Sequence, residues 1–119
     1  SWNKCLMCGY KRDTSKEVTT EDLKKQIDRA LSKQAVVLKI FTSGSFFELD
    51  DDFRHYVYSK VEEMGFEKLI VESRPEFIGN VLDELSSLSF EVEVGIGLET
   101  ANDFVREHCI NKGFTFEDF

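Results

Sequence analysis

The chain has 119 residues, 41% of them hydrophobic and 13% aromatic, with one Pro and seven Gly, which is the composition of one globular domain or a piece of one, long enough to bury a core. A net charge of −8 makes this piece a poor binder of nucleic acid by charge alone, since that binding rests on Lys and Arg neutralising phosphates. Three cysteines form no even disulfide framework and point to a reducing, cytoplasmic interior; no uncharged apolar run approaches the ~18 residues of a membrane span, so no membrane partner is expected.

Taken in order, the chain opens with Cys5-Leu6-Met7-Cys8-Gly9-Tyr10 between Trp2 and a polar stretch from Gly9 to Val18. Thr19-Thr20-Glu21-Asp22 is a capping-type helix start, and Leu23, Ile27, Ala30 and Leu31 then share one helical face. Ala35 to Phe41 is an apolar run expected as a buried strand, ending in the turn cluster Thr42-Ser43-Gly44-Ser45. Phe53, Val57, Val61 and Met64 mark a second amphipathic helix, which Gly65 closes. Lys68 to Glu72 is a short strand running into Ser73-Arg74-Pro75-Glu76, where Pro75 turns Arg74 away from helix. Ile78, Val81, Leu82, Leu85 and Leu88 predict a third helix, and Phe90 to Leu98 a third strand. A fourth helix is expected from Thr100 and Asp103 to about Asn111, with Gly113 behind it, and Thr115 to Asp118 has the pattern of a further cap. Strands joined by helices imply a parallel α/β sheet, either doubly wound or a (β/α) barrel, with chemistry at the carboxyl ends of the strands.

Those ends carry the unusual residues. Cys5 and Cys8 are compatible with half a zinc site, a dithiol pair, or part of an iron–sulfur loop. His55 and His108 are too scattered to complete a zinc ribbon, and the polar stretch after Gly9 does not suit a dithiol at a helix start. An iron–sulfur loop needs one more cysteine, expected upstream of Ser1. Ser43-Gly44-Ser45 is either an ordinary turn or a place of close backbone approach to a ligand. Glu72-Ser73-Arg74-Pro75-Glu76 places opposite charges at a strand end, which make either a surface ion pair or a carboxylate and guanidinium that read a ligand. Gly95 and Gly97 ease packing or admit a ligand next to Glu99 and Thr100. Cys109 reads as core, as do the Phe residues in the main, Asp50-Asp51-Asp52 as a helix N-terminus, and Trp2 is given no role.

These pieces in this order resemble the radical S-adenosylmethionine (SAM) superfamily over nearly the whole chain. Cys5-x2-Cys8-Gly9-Tyr10 looks like the end of its cluster loop, and Ser43-Gly44-Ser45-Phe46 like the small-residue segment after the second barrel strand. Glu72-Ser73-Arg74-Pro75-Glu76, Val94 to Thr100 and Lys112-Gly113-Phe114-Thr115 are similar to segments of the Elongator catalytic subunit group. Position 99 is Glu where relatives outside the subfamily often have Gln. The Cys-x-Met-Cys-Gly-Tyr pattern, read here as Cys5 to Tyr10, and Glu99-Thr100 look most like the radical SAM subunit of archaeal archaeosine synthase.

The resemblance implies a partial (β/α) barrel, with residues 1–119 a fragment of the core domain lacking the first strand and the C-terminal part of the barrel. It implies a 4Fe-4S cluster held by Cys5 and Cys8 with a third thiolate. SAM would chelate the open iron and yield a radical that takes hydrogen from substrate. Met7 and Tyr10 would lie near the adenine and Ser43, Gly44 and Ser45 at the methionyl group, with Glu72, Arg74, Glu99 and Thr100 as further pocket residues. It also implies tRNA base modification by cleavage of a lysine adduct, a lysine-transferring partner subunit, and tRNA contacts outside this piece. The alternative from another class is a non-enzymatic acidic α/β binding module with a zinc-type Cys pair.

Overall fold

The computed structural model describes residues 2–15, 17–31 and 35–119. Lys16, within the expected polar stretch after the cysteines, lies outside them; among its described residues the stretch contains the 3-10 turn Tyr10–Arg12. Helix α1 (Thr20–Ala30) starts on a capping box in which the Thr19 hydroxyl accepts from the Asp22 amide and the Asp22 carboxylate accepts from the Thr19 amide. Its inward face is Ile27 with the following Leu31, while Ala30 is exposed. Helix α2 (Asp51–Met64) begins in three aspartates and ends at Gly65, whose φ of 69° lets the Phe66 amide reach back to the Val61 carbonyl.

The strands β1 (Val37–Ile40), β2 (Lys68–Ser73) and β3 (Glu91–Ile96) form one parallel sheet in the order β1-β2-β3. Consecutive strands are neighbours and the order never reverses. That is the order of a barrel wall, and one half of a doubly wound sheet shares it. Leu38, Leu69 and Val71 face a core built from Ile27, Leu31, Phe53, Val57, Tyr58, Val61 and Val81. The opposite face is polar: Lys68 pairs with Glu91 at 2.9 Å and Glu93 at 3.2 Å. β3 alternates Val92, Val94 and Ile96 with Glu91, Glu93 and Gly95, whereas the run Ala35 to Phe41, expected to be buried, carries exposed Lys39 beside buried Leu38.

Three further expectations are corrected. The third helix is broken into 3-10 turns Pro75–Phe77 and Gly79–Val81 followed by the short α3 (Leu82–Ser86). Pro75, Gly79 and Asn80 are poor helix formers, and the Ser86 and Ser87 hydroxyls bond back to the Asp83 and Glu84 carbonyls. The fourth helix is mainly a π-helical turn, Val105–Ile110, ended by Asn111 at φ 57°. It is organised around Arg106, which is fully buried, donates to the carbonyls of Phe114 (2.9 Å) and Thr100 (2.5 Å), and pairs with Asp103. Finally, Cys109 is exposed rather than core, and so are Phe41, Phe104, Phe116 and Phe119, while Phe46, Phe47, Phe53 and Phe66 are buried. A sheet covered by helices on one face has no room to bury eleven Phe.

Candidate functional site

The carboxyl ends of the three strands open into a cleft of about 540 Å³, and the loop carrying Cys5 and Cys8 forms one wall of it. Both cysteines are half-buried free thiols on a single turn, in which the Cys8 amide approaches the Cys5 carbonyl at 3.4 Å. Of the residues singled out in the sequence, Met7, Tyr10, Ser43, Gly44, Ser45, Glu72, Arg74 and Glu99 all line this cleft with the two cysteines. Thr100 does not: its carbonyl accepts from Arg106 and its hydroxyl from the Asn102 amide, so it ties off the strand end instead. Among the described residues no group of three or more His, Cys, Asp or Glu is arranged to hold a metal ion.

The β1 end is a tight polar turn. The Thr42 hydroxyl donates to the Gly44 carbonyl at 2.7 Å and accepts from the Gly44 amide at 3.2 Å. Ser43 is exposed and takes a hydrogen bond from the Thr14 hydroxyl. Ser45 is buried; its hydroxyl accepts from the Arg74 amide at 3.1 Å, which ties the β1 and β2 ends together.

Arg74 itself is heavily engaged. Its Nη1 donates to the Lys112 carbonyl at 2.6 Å and its Nε to Glu76 at 2.5 Å, and its guanidinium lies between the rings of Trp2 (4.9 Å) and Phe114 (5.3 Å). The ion pair within the segment Glu72 to Glu76 is Arg74 with Glu76, while Glu72 is exposed and lines the cleft together with Arg74.

At the β3 end Glu99 has φ 66°, spanned by a 2.8 Å bond from the Thr100 amide to the Leu98 carbonyl, the pattern of a γ-turn. Its carboxylate reaches Lys112 Nζ at 3.0 Å. Gly97 makes that possible, because a Cβ there would stand 2.8 Å from Glu99 Oε1 and 3.1 Å from Lys112 Nζ. Gly95 is ordinary by comparison, its nearest neighbour to such a Cβ being 3.7 Å away.

Sequence reasoning missed Trp2, Thr42, Ser73 and Lys112 in the lining. An indole three residues from a ligand-type cysteine was the available signal for Trp2. Lys112 approaches the cleft only through tertiary folding of the segment after the π-helical turn.

No protein-family model matches the chain. It is 38% identical to archaeosine synthase subunit beta of Methanosarcina acetivorans over 99% of its length, covering 38% of that relative. It is 37% identical to archaeosine synthase subunit beta of Thermococcus kodakarensis over 97% of its length, covering 40% of that relative. The chain therefore spans about two fifths of the length of these relatives. Its fold matches a queuine lyase from Clostridium spiroforme bound to SAM and queuine, with a TM-score of 0.79 and 30% identity, over 97% of this chain and 50% of the lyase. These likenesses bear out the resemblance to the radical SAM superfamily read from the strand-end motifs.

Proposed function

We propose that the chain is the part of a radical SAM core domain in which Cys5 and Cys8 supply two thiolates to a 4Fe-4S cluster and the adjoining cleft holds SAM. The observation that carries this reading is the coincidence of the cysteine turn and the three strand ends on one cleft. The thiols fit: they are free, half-buried and on the same turn. A third thiolate belongs to another part of the protein, since Cys109 is exposed and does not line the cleft. When bound, the cluster would supply the one-electron reduction of SAM; the protein's own part is to bind, orient and exclude water.

Several side chains divide that work. Met7 and Tyr10 are 61% and 72% exposed yet line the cleft, apolar surface suited to covering a flat base. Ser43 offers a hydroxyl and Gly44 an unobstructed backbone to a polar aminoacyl group. The hydroxyl of Ser45 is already taken by the Arg74 amide, so Ser45 shapes the turn. Glu72 and Glu99 place acceptors at the cleft for ammonium or hydroxyl donors.

For the whole protein we propose tRNA base modification with a partner subunit, which the names of the two archaeal relatives and of the lyase support, and, from the sequence resemblance, cleavage of a lysine adduct that the partner attaches. The acidic charge of this piece leaves tRNA contacts to other regions. The test is anaerobic reconstitution of the intact protein with iron and sulfide. A brown product with cluster absorbance that Cys5→Ala abolishes supports the reading. A colourless protein holding stoichiometric zinc overturns it in favour of the binding module. Mass spectrometry of nucleosides from adduct-bearing tRNA, with and without SAM, then tests the substrate.

A further inference from the structure

We infer that Arg74, at the end of the central strand, is the positioning residue that sets the cysteine loop over the cleft, acting through Trp2 and the Lys112–Gly113 turn. The cysteine loop has no regular structure of its own between Trp2 and Cys8. It is attached at three points to the last residue of the π-helical turn and to Asn111 just after it. The Leu6 amide donates to the Ile110 carbonyl at 2.8 Å, Trp2 Nε1 donates to the Asn111 carbonyl at 2.8 Å, and Asn111 Nδ2 donates to the Lys4 carbonyl at 3.0 Å. The chain continuing from there through Lys112 is tied to the sheet by Arg74, through the 2.6 Å bond from Nη1 to the Lys112 carbonyl. The same guanidinium lies over the rings of both Trp2 and Phe114.

The residue types at the joint fit this one arrangement. Gly113 has φ 76°, and a Cβ on it would overlap the Trp2 ring, so glycine is required both by conformation and by space. Asn111 adopts the left-handed region that asparagine tolerates, and spends its side chain on Lys4. Lysine at position 74 could place one charge near the Lys112 carbonyl, but it lacks the planar fork that bonds a carbonyl and stacks on an indole together. Arg74 thus holds Cys5 and Cys8 in register with the strand ends without touching either thiol. This inference rests on the cluster reading for its consequence, though not for its geometry.

The experiment compares the intact protein with Arg74→Gln, Arg74→Lys and Gly113→Ala by hydrogen exchange and by iron release to a chelator after anaerobic reconstitution. The expected result for all three is severalfold faster exchange in peptides covering residues 2–8 and 110–114, unchanged exchange over β2, and severalfold faster iron loss. Wild-type exchange over residues 2–8 in Arg74→Gln overturns the inference, as does faster exchange with unaltered iron retention. Loss of β2 protection in Arg74→Gln passes the decision to Gly113→Ala, which keeps Arg74; loss of β2 protection there too makes the joint part of the core and overturns the inference. If the unsubstituted protein takes up no iron, the cluster reading fails, while the exchange data still decide whether Arg74 positions the loop.

Discussion

Glu99 Oε1 and Lys112 Nζ stand 3.0 Å apart in the wall of the cleft, next to the bare α-carbon of Gly97. Filling that space strikes the ends of two flexible side chains and no backbone. Gly97→Ala should therefore cost little stability, within about 1 kcal/mol, while separating the pair and narrowing the cleft. We expect several-fold weaker SAM binding by calorimetry with a nearly unchanged melting temperature. Unchanged affinity would remove the pair from the binding surface.

Glu99 is held in a conformation that costs an L-residue about 1–2 kcal/mol, and its carboxylate gives back only a partly exposed ion pair. Backbone strain of this kind collects where a side chain must be aimed at a ligand. Glu99→Gly should therefore hold or raise the stability of the protein while weakening SAM binding. A fall in the urea midpoint would instead make Glu99 a structural residue.

The parts of this arrangement that sequence patterns could carry are those set by near neighbours in the chain. Thr19–Asp22 and Thr115–Asp118 form their reciprocal cap bonds as the residue types require, and Gly65 ends α2 where its positive φ is needed. The placement of Ser43, Glu72 and Glu99 around one cleft followed from the rule that parallel strands present their carboxyl ends together. What stayed hidden depends on distant parts meeting. Nothing local to Arg106 marks an arginine whose side chain becomes fully buried among carbonyls eight and six residues away. Nor does Trp2 announce that its partner Asn111 lies at the other end of the chain. The long apolar stripe Ile78–Leu88 promised a helix, but Gly79-Asn80 break it into a 3-10 turn and the short α3, because propensity decides where packing on one face is weak.

The cysteines should separate cleanly by substitution. Cys5→Ala and Cys8→Ala remove half-buried thiols that line the cleft, and each should abolish most bound iron while leaving far-UV circular dichroism unchanged. Cys109→Ser removes an exposed thiol away from that lining and should retain iron at the wild-type level. Equal loss of iron in all three variants would place a metal ligand on the π-helical turn and revise the site.

The last prediction concerns the joint between α2 and α3, on the helix side of the sheet. Arg54 Nε and Nη2 meet the two oxygens of Glu84 at 3.0 and 2.9 Å, Arg54 Nη1 donates to the Leu49 carbonyl, and the Tyr58 hydroxyl donates to Glu84 at 2.6 Å. The hydrogen bond from Arg54 holds the Glu84 carboxyl below its ordinary value of 4.5, outweighing partial burial, and burial together with Glu84 pushes the Tyr58 hydroxyl well above its ordinary range. A depressed carboxyl binds fewer protons folded than unfolded, so its contribution is complete above the unfolded pKa and is lost as pH falls through the folded one. The urea midpoint should accordingly fall below about pH 4.5, where unfolded glutamate starts to hold its proton. Glu84→Gln should cost about 2 kcal/mol at neutral pH and remove the Glu84 share of that acid-side decline. Parallel pH profiles for the two proteins would mean that Glu84 does not carry it.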